Sequence, residues 1–321
     1  MYRVLDIDSE GRVAELTGDL HVAPPPEGVV RWIDLEKQDA AQLALLAERF
    51  KFHPLTIEDC AHFNQRPKVD EYPDYLFIVT HGFELSPSPE CELTAMELHT
   101  FLSERYVVTV HDEPIAPLEA VWQRLKSERG AAQHGADFIS YLIADGVVDM
   151  YFPVVDSIAD EVETLEEEIL SGPEPGDTLG RLFRLKRVLV RLRKVVGPQR
   201  DVFAHLSKRG SGPVGERTAL YFRDVQDHVF RISEALEMAR VLLSGALDAH
   251  LWSGSQRTNE IMKRLTLLSA ILLPRAFITG FFGQNFERMP FGSQLVFVAM
   301  LVSCVVVPGG MLYFFLRSRW F

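Results

Sequence analysis

The chain has 321 residues, of which 47% are apolar and 24% charged, a composition typical of a globular protein of one or two domains. The formal net charge of −12 argues against nucleic acid as the main partner and suits cations. The 3 cysteines lie far apart with no CxxC spacing, which favours a reducing compartment over a disulfide framework.

Residues 1–135 alternate between strand and helix patterns and predict an α/β body with a partly antiparallel sheet. The first eight residues contain no apolar h-region, so no signal peptide is expected there. Residues 39–50 carry apolar side chains at helical spacing and predict an amphipathic helix. Strands are predicted at residues 3–7, 29–35 and 75–80, and a hairpin at residues 96–102 and 105–111.

Residues 136–212 predict a helical hairpin with arms of opposite charge. Seven acids lie on the first arm, a Gly/Pro-rich break follows at residues 171–176, and seven bases lie on the second arm. Such arms can pair electrostatically, although exposed ion pairs contribute little each. The acids are Asp156, Asp160, Glu161, Glu163, Glu166, Glu167 and Glu168, and the bases are Arg181, Arg184, Lys186, Arg187, Arg191, Arg193 and Lys194.

From residue 218 to residue 282 the pattern stays helical, and such a helix would be about 90 Å long. Two apolar runs end the chain, and each is long enough to cross a bilayer. Flanking Lys and Arg residues place both termini on the cytoplasmic side of the plasma (inner) membrane by the positive-inside rule. The predicted segments are a stalk helix at 213–264, a first span at 265–283, an outer loop at 284–294, a second span at 295–316 and a basic tail at 317–321.

Several short motifs follow one another in a fixed order. They are FHPL at 52–55, QRPKV at 65–69, YVVTVH at 106–111, YFRDVQDH at 221–228, TNEIMKRLT at 258–266 and FITGFFGQNF at 277–286. In this order, with the last two motifs around the first span, they resemble the CorA family of divalent-cation channels, best known for magnesium.

The resemblance implies an α+β cytoplasmic domain with a long stalk helix leading into two C-terminal transmembrane helices, assembled as a funnel-shaped homopentamer in the lipid bilayer. It implies a selectivity filter at Gly283, Gln284 and Asn285. Amide oxygens there would accept hydrogen bonds from the waters that Mg²⁺ is reluctant to release. No GxxxxGK[ST] motif is present, so no nucleotide is expected to drive transport. The membrane potential is expected to drive it instead.

The first span is expected to line the pore. Rotating about 100° per residue from Asn259 returns Thr266 and Leu273 close to the same direction and leaves Arg275 roughly 160° away. Arg275 is therefore expected to pack against the second span or a neighbouring copy. The remaining predicted pore residues are Met262 and Leu265, which with Leu273 form a hydrophobic constriction, Asp248 at the cytoplasmic mouth and Glu287 at the outer mouth.

The resemblance also implies a regulatory metal site. Asp224 matches a family acid that binds Mg²⁺ between subunits, and Asp227 and His228 lie beside it. The partner acid is expected on the loop at residues 84–92 of the neighbouring copy, where Glu84, Glu90 and Glu92 are candidates. Metal at this site would hold the channel closed until cytosolic magnesium falls.

The chain departs from the family pattern, which leaves alternatives open. The family usually has Gly-Met-Asn where this chain has Gln284 in the middle, and often an acid where it has Phe291. One alternative is therefore a Zn²⁺, Co²⁺ or Ni²⁺ transporter of the same fold, coupled to protons. Another is a membrane-tethered sensor that conducts nothing. A third is an enzyme, but the cluster of His53, Glu58, Asp59 and His62 lacks good zinc-ligand spacing, so no enzyme is predicted.

Overall fold

The computed structural model describes residues 2–16, 22–36, 40–85, 93–128, 134–171, 177–208, 210, 212–284 and 292–317. The chain consists of two compact units, Met1–Ala246 and Leu247–Phe321. The strands are β1 (Tyr2–Asp8), β2 (Val13–Leu16), β3 (Val29–Glu36), β4 (Lys68–Glu71), β5 (Leu76–Leu85), β6 (Leu93–Leu102) and β7 (Tyr106–His111). The helices are α1 (Ala40–Phe50), α2 (Pro54–His62), α3 (Ala116–Ser127), α4 (Ala136–Asp149), α5 (Tyr151–Ser171), α6 (Thr178–Leu206), α7 (Glu216–Phe282) and α8 (Gln294–Arg317).

The first unit contains a seven-stranded sheet in the order β2-β1-β3-β7-β6-β5-β4. Only the β3–β7 pair is parallel among the described strands, so the predicted partly antiparallel sheet is confirmed. The predicted hairpin is confirmed too: β6 and β7 pair antiparallel, and Ser103 N donates to Tyr106 O at 2.9 Å.

Both faces of this sheet are covered, which explains why β7 is buried along its whole length. On one face, Phe77 and Phe101 join a core with Leu46 of α1. On the other face, Trp32 of β3 packs against Trp122 of α3 with 5.0 Å between ring centroids. Because successive strand residues point to opposite faces, continuous apolar strands of this kind place the core on both sides of the sheet.

The charged hairpin is formed by α5 and α6. Each helix buries an apolar stripe, including Val162 and Leu165 on α5 and Leu185 and Leu192 on α6. Arg181 on α6 donates to Glu161 at 2.8 Å and to Glu168 at 2.6 Å, and both acids belong to α5. The two arms are therefore ion-paired, but within the described residues Arg181 alone forms these pairs.

Three helical stretches are long and apolar enough to cross a membrane, by length and composition. The Ala136–Ser171 stretch has 61% of its most apolar window buried, so it belongs to the core of the first unit. The corresponding windows of Glu216–Phe282 and Gln294–Phe315 are 0% and 6% buried. Such uncovered apolar surface requires lipid or other protein around it.

Candidate ion pathway and metal site

Helix α7 ends at the predicted filter. Gly283 N donates to Thr279 O at 3.0 Å, and Gln284 N donates to Phe281 O at 3.3 Å, so the last turn is closed by backbone hydrogen bonds. A Cβ atom at Gly283 would lie 3.1 Å from Thr279 O, which favours glycine there. Asn285 and Glu287 lie outside the described residues, and their roles remain predictions.

One face of α7 carries most of the predicted pore residues. The helix is continuous from Glu216 to Phe282, so the rotation of about 100° per residue applies along it. Asp248, Thr266 and Leu273 then fall within about 40° of Asn259, Met262 falls about 60° away and Leu265 about 120° away. All six side chains are exposed in the single chain. Leu265 is thus the member of this set that fits the shared face least well.

His228 is the centre of an acidic cluster between α4 and α7. Its Nε2 atom lies 3.8 Å from Asp224 Oδ2 one turn earlier on α7. Its Nδ1 atom lies 4.0 Å from Asp145 Oδ1 and 3.9 Å from Asp149 Oδ1, both on α4. That Nδ1 atom is buried and makes no hydrogen bond within the described part of the chain. The imidazole therefore faces three carboxylates at distances longer than hydrogen bonds.

The ligand atoms of Asp145, Asp149 and His228 all lie within 4.8 Å of one another, which is compatible with one bound cation. Carboxylate oxygens suit Mg²⁺, whereas imidazole nitrogen suits Zn²⁺, Co²⁺ and Ni²⁺. The donor types are therefore compatible with either class of divalent ion, and the imidazole favours a transition metal.

Electrostatics show that this cluster carries an excess of negative charge. Burial, together with the neighbouring Asp149, raises the pKa of Asp145, and His228 offsets part of that effect. Burial and the charges of Asp145 and Asp224 raise the pKa of Tyr141 to about 12. A bound cation would relieve this repulsion, because it stabilises the ionised carboxylates.

The structure separates the predicted regulatory residues. Asp224 lies beside the cluster, while Asp227 is exposed on α7 and is not one of its members. Glu84 is exposed near the end of β5, and Glu90 and Glu92 lie outside the described residues. Sequence reasoning missed Asp145 and Asp149. Their i, i+4 spacing on a helix, matched by the i, i+4 spacing of Asp224 and His228, is the signal that could have found them.

Two of the residues considered for an enzyme, His53 and Asp59, have structural roles. His53 caps α2, since its Nδ1 atom accepts a hydrogen bond from Leu55 N at 3.2 Å. Asp59 pairs with Lys68 at 2.7 Å. These contacts account for two of the four polar side chains without any catalytic chemistry.

The last helix of the α/β body continues into an apolar segment that the chain leaves exposed, and a second exposed apolar helix follows it. These features define a membrane protein with a large water-facing domain. The chain belongs to the CorA-like Mg2+ transporter protein family, whose model matches residues 27–317. That match confirms the resemblance seen in the sequence, and the family is one of transporters.

Two relatives illustrate the relationship. The chain is 35% identical over 298 residues to the cobalt/magnesium transport protein CorA of Thermotoga maritima, covering 90% of this chain and 83% of that protein. It is 34% identical to the putative metal ion transporter YfjQ of Bacillus subtilis, covering 90% and 89%. The complete structure of the CorA magnesium transporter from Methanocaldococcus jannaschii has the same fold, with a TM-score of 0.84 over 99% of this chain and 98% of that one at 21% identity.

Proposed function

We propose that this chain forms a homopentameric channel that conducts divalent cations, Mg²⁺ foremost, across the inner membrane, with both termini in the cytoplasm. The observation that carries the proposal is the first apolar segment of α7, whose window is 0% buried and which ends at the capped Gly283-Gln284 turn. Family membership and the magnesium and cobalt named for its relatives support the choice of ions.

The shared face of α7 gives this proposal a pathway. Five copies with Asn259 toward a common axis would also direct Asp248, Thr266 and Leu273 toward it. Asp248 would concentrate cations at the cytoplasmic mouth. Asn285 would offer amide oxygens to a hydrated ion at the other end. A divalent ion crossing 100 mV gains about 4.6 kcal/mol, so no nucleotide is needed.

Cytosolic metal would regulate this channel through the cluster of Asp145, Asp149 and His228, with Asp224 beside it. Without metal the carboxylates repel one another, and with metal they are bridged. If the closed state offers the better ligand geometry, metal binding shifts the population toward closure by the difference in affinity between the two states. An acid of the neighbouring copy, such as Glu84, would complete the coordination sphere.

A second candidate is a Zn²⁺, Co²⁺ or Ni²⁺ transporter of the same fold, coupled to protons. The imidazole of His228 in the metal-compatible cluster favours this candidate, because nitrogen donors suit these ions better than Mg²⁺. Gln284 also departs from the methionine that the family pattern usually has at the predicted filter.

Flux into liposomes tests both candidates. Purified full-length protein is reconstituted, and uptake of Mg²⁺, Co²⁺, Ni²⁺ and Zn²⁺ is measured with an inside-negative potential or with a pH gradient alone. The proposal expects potential-driven Mg²⁺ uptake that is lost in Asn285→Ala and retained in the surface control Glu104→Gln. Uptake of zinc driven only by the pH gradient would favour the second candidate. Absence of flux for every ion would instead indicate a tethered sensor.

A further inference from the structure

The outward face of α6 is basic and partly apolar. Leu179, Phe183 and Val190 are 41%, 47% and 49% exposed. At about 100° per residue these three side chains fall within an arc of about 40°. Lys186, Arg187 and Lys194 flank this arc, Arg191 follows at its edge, and none of these four bases forms an ion pair within the described part of the chain.

The outward face of α5 has the opposite charge and the same spacing. Asp156, Asp160, Glu163 and Glu167 are exposed and fall within an arc of about 60°. None of them is ion-paired among the described residues, because Arg181 uses Glu161 and Glu168 instead. The acidic row spans about 16 Å and the basic row from Lys186 to Lys194 about 12 Å, so the basic row fits within the length of the acidic one.

We propose that the basic face of α6 in one copy docks against the acidic face of α5 in a second copy. Burial of Leu179, Phe183 and Val190 would supply the apolar centre, and the surrounding ion pairs would set register and orientation. Such a contact joins two different surfaces and is therefore heterologous, the type that forms a ring when the rotation between successive copies closes. The inference rests on the proposed self-association of the channel, but not on which ion it carries.

Cross-linking between differently tagged copies tests the contact. In a Cys91→Ser, Cys304→Ser background, copies with Glu163→Cys and one tag are co-expressed with copies that carry Val190→Cys and another tag. A disulfide-linked product bearing both tags can form only between copies. We expect this product in membranes of the full-length protein. Absence of the product from an assembled protein overturns the inference.

Charge reversal then tests the chemistry. Arg187→Glu with Arg191→Glu on the Val190→Cys copies should lower the yield several-fold. Asp160→Lys with Glu167→Lys on the other copies should restore it. The control Glu104→Lys lies on an exposed turn and should leave the yield unchanged. Loss without restoration contradicts ion pairing between these faces.

The mass of the detergent-solubilised oligomer and Mg²⁺ flux are measured on the same samples. An oligomer that transports Mg²⁺ without cross-linking overturns this interface and leaves the proposed function standing. A monomer without flux overturns both.

Discussion

His228 on α7 faces Asp145 on α4 with 4.0 Å between Nδ1 and Oδ1. Two atoms that bind the same cation at 2.0–2.6 Å each lie about 3–4 Å apart. The separation is thus close to that of ligands around one ion. Because Asp149 and Asp224 approach the same imidazole, α4 and α7 would be joined by any cation that binds there.

His228→Ala is expected to weaken Co²⁺ binding about tenfold or more while reducing Mg²⁺ binding less, because imidazole is the better ligand for the transition metal. Asp149→Asn should weaken the binding of both ions. Binding to the full chain in detergent is measured by titration calorimetry, with Glu104→Gln as the exposed-acid control. Equal loss of both metals in His228→Ala would contradict a role for the imidazole as ligand.

The sequence predicted the elements that have strong local patterns. Alternating and continuous apolar runs predicted the β6–β7 hairpin. The helical pattern from residue 218 to residue 282, which contains Pro274 as its one proline, predicted α7, which the structure extends from Glu216 to Phe282. These patterns depend on residues that are close together in the sequence, so they can be recognised without the tertiary structure.

Contacts between distant residues could not be predicted in this way. Asp145 and His228 are 83 positions apart, and only the packing of α4 beside α7 brings them together. Likewise Glu97 meets His81 because β5 and β6 pair in one particular register, whereas His99 lies only two residues further along β6. Asp224 was predicted from the family resemblance, whereas Asp145 and Asp149 of α4 were identified only in the tertiary structure.

The lowered pKa of Glu97 predicts that the folded protein loses stability in acid. Burial alone would raise the pKa of this carboxyl, but hydrogen bonds from His81 and His99 overcome that effect and lower it from 4.5 to about 2. The stabilisation is therefore complete above pH 4.5 and is lost as the pH falls toward 2. A shift of this size corresponds to about 3 kcal/mol at neutral pH.

Glu97→Gln should remove much of that stabilisation at pH 7 and flatten the dependence of unfolding free energy on pH between 4.5 and 2. Urea unfolding of the solubilised chain, followed by fluorescence of the buried Trp32 and Trp122, measures both effects. A variant with the same acid dependence as the parent would assign the effect to other carboxylates.

Arg181 is expected to stabilise the charged hairpin more than Arg193 does. Arg181 is 27% exposed and binds two acids, whereas Arg193 is 67% exposed and pairs with Glu237 alone at 3.3 Å. Arg181→Ala should cost about 1 kcal/mol and Arg193→Ala close to nothing, because solvent screens exposed pairs. Hydrogen exchange of α5 and α6 is the measurement. Equal protection in the two variants would rule out the Arg181 bridge as a stabilising contact.

Arg275 and Thr266 test the direction of the pore face. By helical rotation Thr266 lies about 20° and Arg275 about 160° from Asn259. Arg275→Leu is therefore expected to retain Mg²⁺ flux and to insert at least as well, since it removes a charge from hydrocarbon. Thr266→Leu should reduce flux strongly, because it places a branched apolar side chain in the path. Liposome flux at matched protein density compares the two. Loss of flux in Arg275→Leu with normal flux in Thr266→Leu would reverse the assignment and turn the opposite face of α7 toward the axis.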